Sequence, residues 1–232
     1  MNDFDGKHVV VTGGTGAIGS AVVEALLERG ATCHVPSRSQ ASVDRYALKD
    51  HERVNPVPDV DLSDEESVAR FYEGLPTLWG SAHIAGGFTM APLAETSLSV
   101  FERMFQTNAV SCFLCCKHAV ASMRAGGAGG RVVNVAARNV LVPSAGAVAY
   151  SASKAAVASI TQTLGPELAP ESIFVNAIVP SVMNTATNRE AMPDADHSRW
   201  PTVQEAAAAV AYLLSPANNA THGAMVPVYG RA

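Results

Sequence analysis

His8-Val9-Val10-Val11-Thr12-Gly13-Gly14-Thr15-Gly16-Ala17-Ile18-Gly19 is the stretch from which the fold can be read. A β-branched run ends in a cluster of glycines, and a helical pattern starts at Ala17. Glycine alone marks any tight turn. A glycine cluster that follows a strand and opens a helix does more. It lets the backbone approach a pyrophosphate, whose charge the helix N-terminus favours. Gly13, Thr15, Gly16, Ala17, Ile18 and Gly19 are therefore candidate residues for holding a dinucleotide.

Outward from this turn, strand-like and helix-like patterns alternate to the end of the chain. Strands are expected at His8–Thr12, Thr32–Val35, Arg53–Val57, Leu78–Ala85, Arg131–Ala136, Ile173–Val179 and Ala224–Val228. Helices are expected at Ala17–Arg29, Gln40–Leu48, Asp64–Tyr72, Leu98–Met123, Ala149–Leu168 and Val203–Leu214. The helix after Leu62 starts Ser63-Asp64-Glu65-Glu66, which reads as a capping box made by Ser63 and Glu66. Nearly continuous apolar strands alternating with helices predict one α/β domain over residues 1–232, its parallel sheet covered on both faces. Two stretches stand outside the pattern. Gly126–Gly130 reads as a flexible connection, and residues 180–201 as a long loop of the kind that forms a substrate lid.

Composition narrows the function. Of 232 residues, 48% are apolar and 16% charged, which excludes a disordered chain. The net charge of −5, with no basic block, argues against a nucleic-acid partner. The acidic start, Met1 to Lys7, has no signal-peptide pattern, and the longest apolar run, Ala206–Leu214, is too short to span a membrane. Cys33, Cys112, Cys115 and Cys116 are too few for a disulfide framework, so a reducing cytosol is expected. Cys112, Cys115 and Cys116 stand near His118, yet no second ligand cluster completes a metal set, so buried thiols and no metal are expected. His34 and His51 read as ordinary core or surface residues, and His83 and His197 as structural with a chance of touching substrate.

The second strand decides the cofactor. A carboxylate at its end would bind the adenosine ribose hydroxyls of NAD, whereas arginine would pair with the 2′-phosphate of NADP. The chain has Val35-Pro36-Ser37-Arg38, so NADP(H) is preferred and NAD(H) is the alternative. Asp61-Leu62 could cap the adenine amine. Further on, Tyr150-Ser151-Ala152-Ser153-Lys154 places a phenol and an ammonium four residues apart on one helix face. The positive charge is expected to lower the phenol pKa towards the range of a general acid or base.

Together these motifs resemble the short-chain dehydrogenase/reductase family over the whole length. The resemblance rests on the glycine loop, Asp61-Leu62, Ile84-Ala85-Gly86-Gly87, Asn108, Tyr150 with Lys154, and Pro180. It implies a single Rossmann-type, doubly wound domain with seven parallel strands that transfers hydride from a nicotinamide. It implies that Tyr150 donates the proton, that Lys154 holds the nicotinamide ribose and tunes Tyr150, and that Asn108 supports a water relay to the lysine. Ala85, Gly86, Gly87, Pro180 and Val182 would join the cofactor site. A homodimer or homotetramer paired through the long central helices is implied, acting on a small molecule.

Three positions depart from the family pattern. Ala137 stands where the family carries a catalytic serine, His83-Ile84 replace two asparagines, and Ser181 replaces a glycine. With the stretch Asn188–Trp200, which includes Met192-Pro193-Asp194-Ala195-Asp196, these departures resemble the dihydropteridine reductase-like branch. That branch differs in lacking the equivalent of Asn108 and in carrying an NAD-type aspartate near Ser37-Arg38. A conjugated C=N acceptor develops no alkoxide, so the resemblance implies a reductase of a quinonoid or imine-like acceptor. Ala137, Ser144, Met192 and Trp200 are its candidate substrate residues. Two alternatives stay open. One is a carbonyl or alcohol dehydrogenase in which Ser144, Asn139 or a water replaces the serine, and the other is a silent NADP(H)-binding protein.

Overall fold

The computed structural model describes residues 2–231, so the outer bounds of the expected domain, Met1 and Ala232, lie outside the described residues. Seven strands form one parallel sheet: β1 (His8–Thr12), β2 (Thr32–Pro36), β3 (Val54–Val57), β4 (Gly80–His83), β5 (Gly130–Val135), β6 (Ile173–Pro180) and β7 (Met225–Val228). Their order is β3-β2-β1-β4-β5-β6-β7. The order reverses between β1 and β4, which opens a crevice at the carboxyl ends of those strands.

The helices are α1 (Ala17–Leu27), α2 (Gln40–Asp44), α3 (Glu65–Glu73), α4 (Leu98–Met104), α5 (Ser111–Gly126), α6 (Val148–Leu168), α7 (Ala186–Ala191) and α8 (Val203–Leu214). Side chains alternate across each strand, and β1 shows the result. Val9 and Val11 enter a core shared with Leu26 of α1 and Leu214 of α8, while Val10 enters a second core shared with Phe71 of α3, Cys115 of α5 and Val157 of α6. Both faces of the sheet are thereby covered, as the apolar strands required.

The structure corrects four local expectations. The apolar pattern of Leu98–Met123 does not form one helix. Phe105–Val110 is a π-helical turn between α4 and α5, a widening that often accompanies functional residues. Ser63 does not cap α3. Its hydroxyl donates to Asp61 Oδ1 at 2.6 Å, and Asp64 caps the helix instead, accepting from the Ser67 amide at 2.7 Å. Residues 180–201 are not a plain loop. They contain α7, capped by the Thr185 hydroxyl, a short 3₁₀ turn at His197–Arg199, and an Asn184–Thr202 bridge. Finally, Gly126 closes α5 and Gly130 starts β5, so the flexible connection shrinks to the residues between them.

The capping assignment is open to a direct check. Asp64→Ala is expected to lose about 1 kcal/mol in urea unfolding, the usual value of an N-cap, whereas Ser63→Ala should stay within ~0.5 kcal/mol of the parent. A larger loss in Ser63→Ala than in Asp64→Ala would return the cap to Ser63.

Candidate active site

The crevice beside β1 is a cleft of about 440 Å³. Its floor is the expected loop: Gly13, Thr15, Gly16, Ala17, Ile18 and Gly19 all line it. Two of these glycines have steric reasons to be glycine. Gly13 has φ +67°, and a Cβ there would lie 2.7 Å from the Ala85 amide nitrogen. At Gly19 a Cβ would lie 2.1 Å from the Gly13 carbonyl oxygen, where no methyl fits. Gly16 begins α1 without a side-chain cap, which leaves the first amides of that helix to an anion. Opposite the loop stand Ser37, Arg38, Asp61, Leu62, Ala85 and Gly86. Pro36, Ser42, Val60, Gln106, Thr107 and Thr185 also line the cleft, although no sequence pattern singled them out.

Within this cleft the polar groups divide. The Ser37 hydroxyl donates to the Ser39 carbonyl at 3.3 Å, so it is turned back onto its own chain. Arg38 is exposed and makes no ion pair among the described residues. Asp61 accepts from both the amide and the hydroxyl of Ser63, and those bonds hold its carboxyl below the usual carboxylate range. An open cradle and an uncapped helix start fit the pyrophosphate of a dinucleotide.

The remaining candidates do not line this cleft, and Asn108 and Lys154 approach it at Gly86. Lys154 is buried, and its Nζ donates to the Val135 carbonyl at 2.7 Å, where β5 ends. Asn108, in the π-helical turn, accepts from the Gly87 amide at 2.9 Å. Its Nδ2 donates to the Gly87 carbonyl at 3.1 Å and to the Ser153 hydroxyl at 3.0 Å. Ser153 in turn donates to the Tyr150 carbonyl at 2.8 Å. Asn108 Oδ1 and Lys154 Nζ flank one point beside Gly86, which a Cβ there would occupy. Tyr150, Lys154, Asn108, Gly86 and Gly87 thus form one constellation. Ser153 joins them, although nothing in the Tyr150–Lys154 spacing singles it out.

The electrostatics correct one expectation. Burial pushes the Tyr150 phenol up to about 12, and the Lys154 ammonium does not pull it back, because that ammonium is turned onto Val135. Burial also brings Lys154 down to about 8. At pH 7 the site therefore holds a protonated phenol next to a buried ammonium. That is the state of a proton donor rather than of a base.

His83 is a core residue. Thr161 Oγ1 donates to the Val157 carbonyl, so it must accept from Asn134 Nδ2, which turns Asn134 Oδ1 towards His83 Nδ1 at 2.8 Å. His83 Nδ1 then carries the proton, and Nε2 accepts from Ser81 at 2.9 Å. With both nitrogens engaged, His83 cannot serve substrate. Its Nδ1 nevertheless lies within 4.8 Å of the thiols of Cys112 and Cys116, a closer grouping than the spacing suggested. All four cysteines are buried and free. His197 Nε2 lies 2.7 Å from the Met192 carbonyl.

The substrate candidates lie on the segments that follow β5 and β6. Ala137 is buried, and Ser144 is exposed on the following loop. Pro180 ends β6, with Val182 and Met192 exposed beyond it. Trp200 packs against the His197 ring, 4.6 Å between centroids, at the outer end of the loop. No helix among the described residues is long and apolar enough to cross a membrane.

Comparison with known proteins agrees with this fold. A family model described as short chain dehydrogenase matches residues 7–196. The cis-4-hydroxycyclohexanecarboxylate dehydrogenase of Sinomonas cyclohexanicum is 32% identical over 244 aligned positions, covering 98% of this chain and 96% of that one. Carbonyl reductase [NADPH] 2 of Sus scrofa is 29% identical, covering 97% and 95%. A solved short chain dehydrogenase/reductase family protein superposes with a TM-score of 0.91 at 27% identity, over 98% of this chain and 97% of its own. ElxO with NADP bound shares the fold at a TM-score of 0.88 and 23% identity, over 97% of each chain.

The buried ammonium has a consequence for stability. Below pH 8 folded and unfolded chains both carry the Lys154 charge, and the folded chain bears its full burial cost. Between about 8 and the unfolded value of 10.5 the folded chain loses the proton first, so its stability rises with pH. Relative to Lys154→Met, the parent should gain on the order of 3 kcal/mol across that window in urea unfolding. A pH-independent difference would show that burial does not lower the amine's pKa in the folded chain.

Proposed function

The chain belongs to the short-chain dehydrogenase/reductase family and is an NAD(P)-dependent oxidoreductase, and from that premise we propose that it reduces a small conjugated acceptor, quinonoid or imine-like, with Tyr150 as proton donor. One observation carries the proposal. Phenol, ammonium and Asn108 are assembled, yet the buried Ala137 presents a methyl where the family has its serine hydroxyl. That hydroxyl serves acceptors whose carbonyl oxygen gathers charge, and losing such a donor costs about 100-fold or more. A C=N or quinonoid acceptor spreads the charge over its own conjugated system and depends less on it. The chain's resemblance to the dihydropteridine reductase-like branch supports the same acceptor chemistry, with a quinonoid dihydropterin as the leading specific candidate.

The roles of the residues follow from their places. Gly13 to Gly19 and the first turn of α1 would hold the pyrophosphate, and Arg38 the 2′-phosphate, with Asp61 and Leu62 beside the adenine. Ala85, Gly86, Gly87, Pro180 and Val182 would wall the nicotinamide. When bound, the dinucleotide supplies the hydride. Lys154 has donors to spare beyond Val135, and these would hold the ribose hydroxyls. Tyr150 gives its proton to the acceptor's heteroatom and regains one from solvent, so the acceptor gains one hydride and one proton. Asn108 positions this set by tying Gly87 to Ser153, and the second lone pair of its Oδ1 is free to hold a relay water.

A second reading is favoured by the half-buried Asn139, two residues beyond Ala137, and by the exposed Ser144. Either could replace the serine in a ketone reductase or alcohol dehydrogenase, the class of the relatives named above. We further propose that copies pair through α5 and α6. Phe113 lies half-exposed there, beside a groove of about 410 Å³. The four free thiols suit a reducing cytosol.

NADPH and NADH oxidation with quinonoid dihydropterin and with a panel of ketones tests the proposal. Tyr150→Phe should lower turnover by about 100-fold or more while still binding NADPH, and Ala137→Ser should leave the conjugated acceptor within ~3-fold. A gain of 10-fold or more on ketones in Ala137→Ser would favour the second reading, and tight NADPH binding without any turnover would mark a silent binding protein. Arg38→Ala should cost NADPH, but not NADH, on the order of 10-fold or more in kcat/KM, as expected for losing a charged hydrogen bond.

A further inference from the structure

Eleven large apolar side chains are exposed on the described surface, and nine of them come from the segments 88–98, 141–148 and 182–192. These segments follow β4, β5 and β6, so the topology gathers them at the carboxyl edge of the sheet, where Tyr150 sits. Contacts join them. The Phe88 ring stands edge-on to the Tyr150 ring, 4.9 Å between centroids at 77°. The Ala91 amide donates to the Gly146 carbonyl at 2.7 Å, with the Met90 side chain packed on the same glycine. Thr185 brings the third segment to the wall of the cofactor cleft, which Gly86 also lines. Exposed apolar surface costs free energy, and its concentration at one mouth marks a binding surface. Phe88, 65% exposed although it touches the phenol, is its central element.

We propose that this mouth takes an uncharged, flat conjugated or aromatic ring system, one or two six-membered rings across, and that Phe88 is a specificity-determining residue whose face packs against that ring. The chemistry of the rim disfavours the opposite class of substrate. Residues 88–98 carry one charged side chain, Glu95, 141–148 carry none, and 182–192 carry two, of which Arg189 is turned onto Asn184. An open-chain polyhydroxylated ketone would lose water from its hydroxyls here and find few partners for them. The substitution at Ala137 continues the same surface inwards with a methyl. The inference deepens the proposed reductase reading and rests on it for the identity of the reacting group, but the surface itself can be tested without turnover.

The probe is 1,4-naphthoquinone, titrated by quenching of intrinsic fluorescence into the protein saturated with NADP⁺, with dihydroxyacetone as the polar comparison. Phe88 is exposed, so its variants should fold. Phe88→Ser should weaken naphthoquinone binding by about 10-fold, Phe88→Leu by no more than about 3-fold, and neither should change NADPH affinity. Absence of naphthoquinone binding to the parent overturns the proposal. So does equal binding by the parent and both variants, or tighter binding of dihydroxyacetone. Binding with the expected pattern but without Tyr150-dependent NADPH oxidation would sink the reductase reading and support this one. Tyr150-dependent reduction of naphthoquinone, unaltered in either variant, would do the reverse.

Discussion

A cation inside a protein persists only where fixed dipoles face it, and Lys154 meets this requirement at the end of β5. The Val135 carbonyl there has no further strand residue to pair with, so it is free to accept the ammonium. Much of the surrounding architecture follows from holding that one group. The chain must turn aside after Val135, which sends Ala137 and the 141–148 segment back to the start of α6. α6 must enter with Tyr150 one turn before the lysine. Asn108 must come close enough to brace both Ser153 and the backbone at Gly87.

The bracing continues into the core. A directional chain of hydrogen bonds runs from Tyr72 of α3 through Ser81 and His83 of β4, across Asn134 of β5, to Thr161 of α6. Each donor in it has one acceptor, and reversing any member would leave a buried polar atom unpaired. The chain therefore fixes α6 against the sheet about two turns beyond Lys154. Packing of Val157 and Leu168 against the strands supplies the attraction, and the polar chain supplies the register.

The sheet was legible because its strands are buried on both faces, so their apolar runs are nearly unbroken. The glycine loop was legible because Gly13 and Gly19 have no steric substitute. Other features lacked a local signal. The apolar spacing of Leu98–Met123 passes straight through Phe105–Val110, so nothing in it marks the widened turn. Ser63 and Asp64 are both good caps, and the choice between them depends on Asp61 taking the serine. The direction of the Tyr150 shift could not come from spacing, since burial outweighs a neighbouring charge that points elsewhere. Phe88 lies in a stretch without periodicity, and only its contact with Tyr150 reveals its place.

The π-helical turn at Phe105–Val110 has a consequence for how this chain can change over time. It accommodates one residue more than an ordinary helical ladder, and that surplus sets the rotation of everything before it relative to α5. Deleting a residue between Asn108 and α5 would restore a regular helix and swing Asn108 by roughly 100° away from Ser153 and Gly87. At this point in the fold the length of the segment is constrained as tightly as the identity of Asn108. Its other positions can drift, whereas a change in residue count there would disconnect the brace.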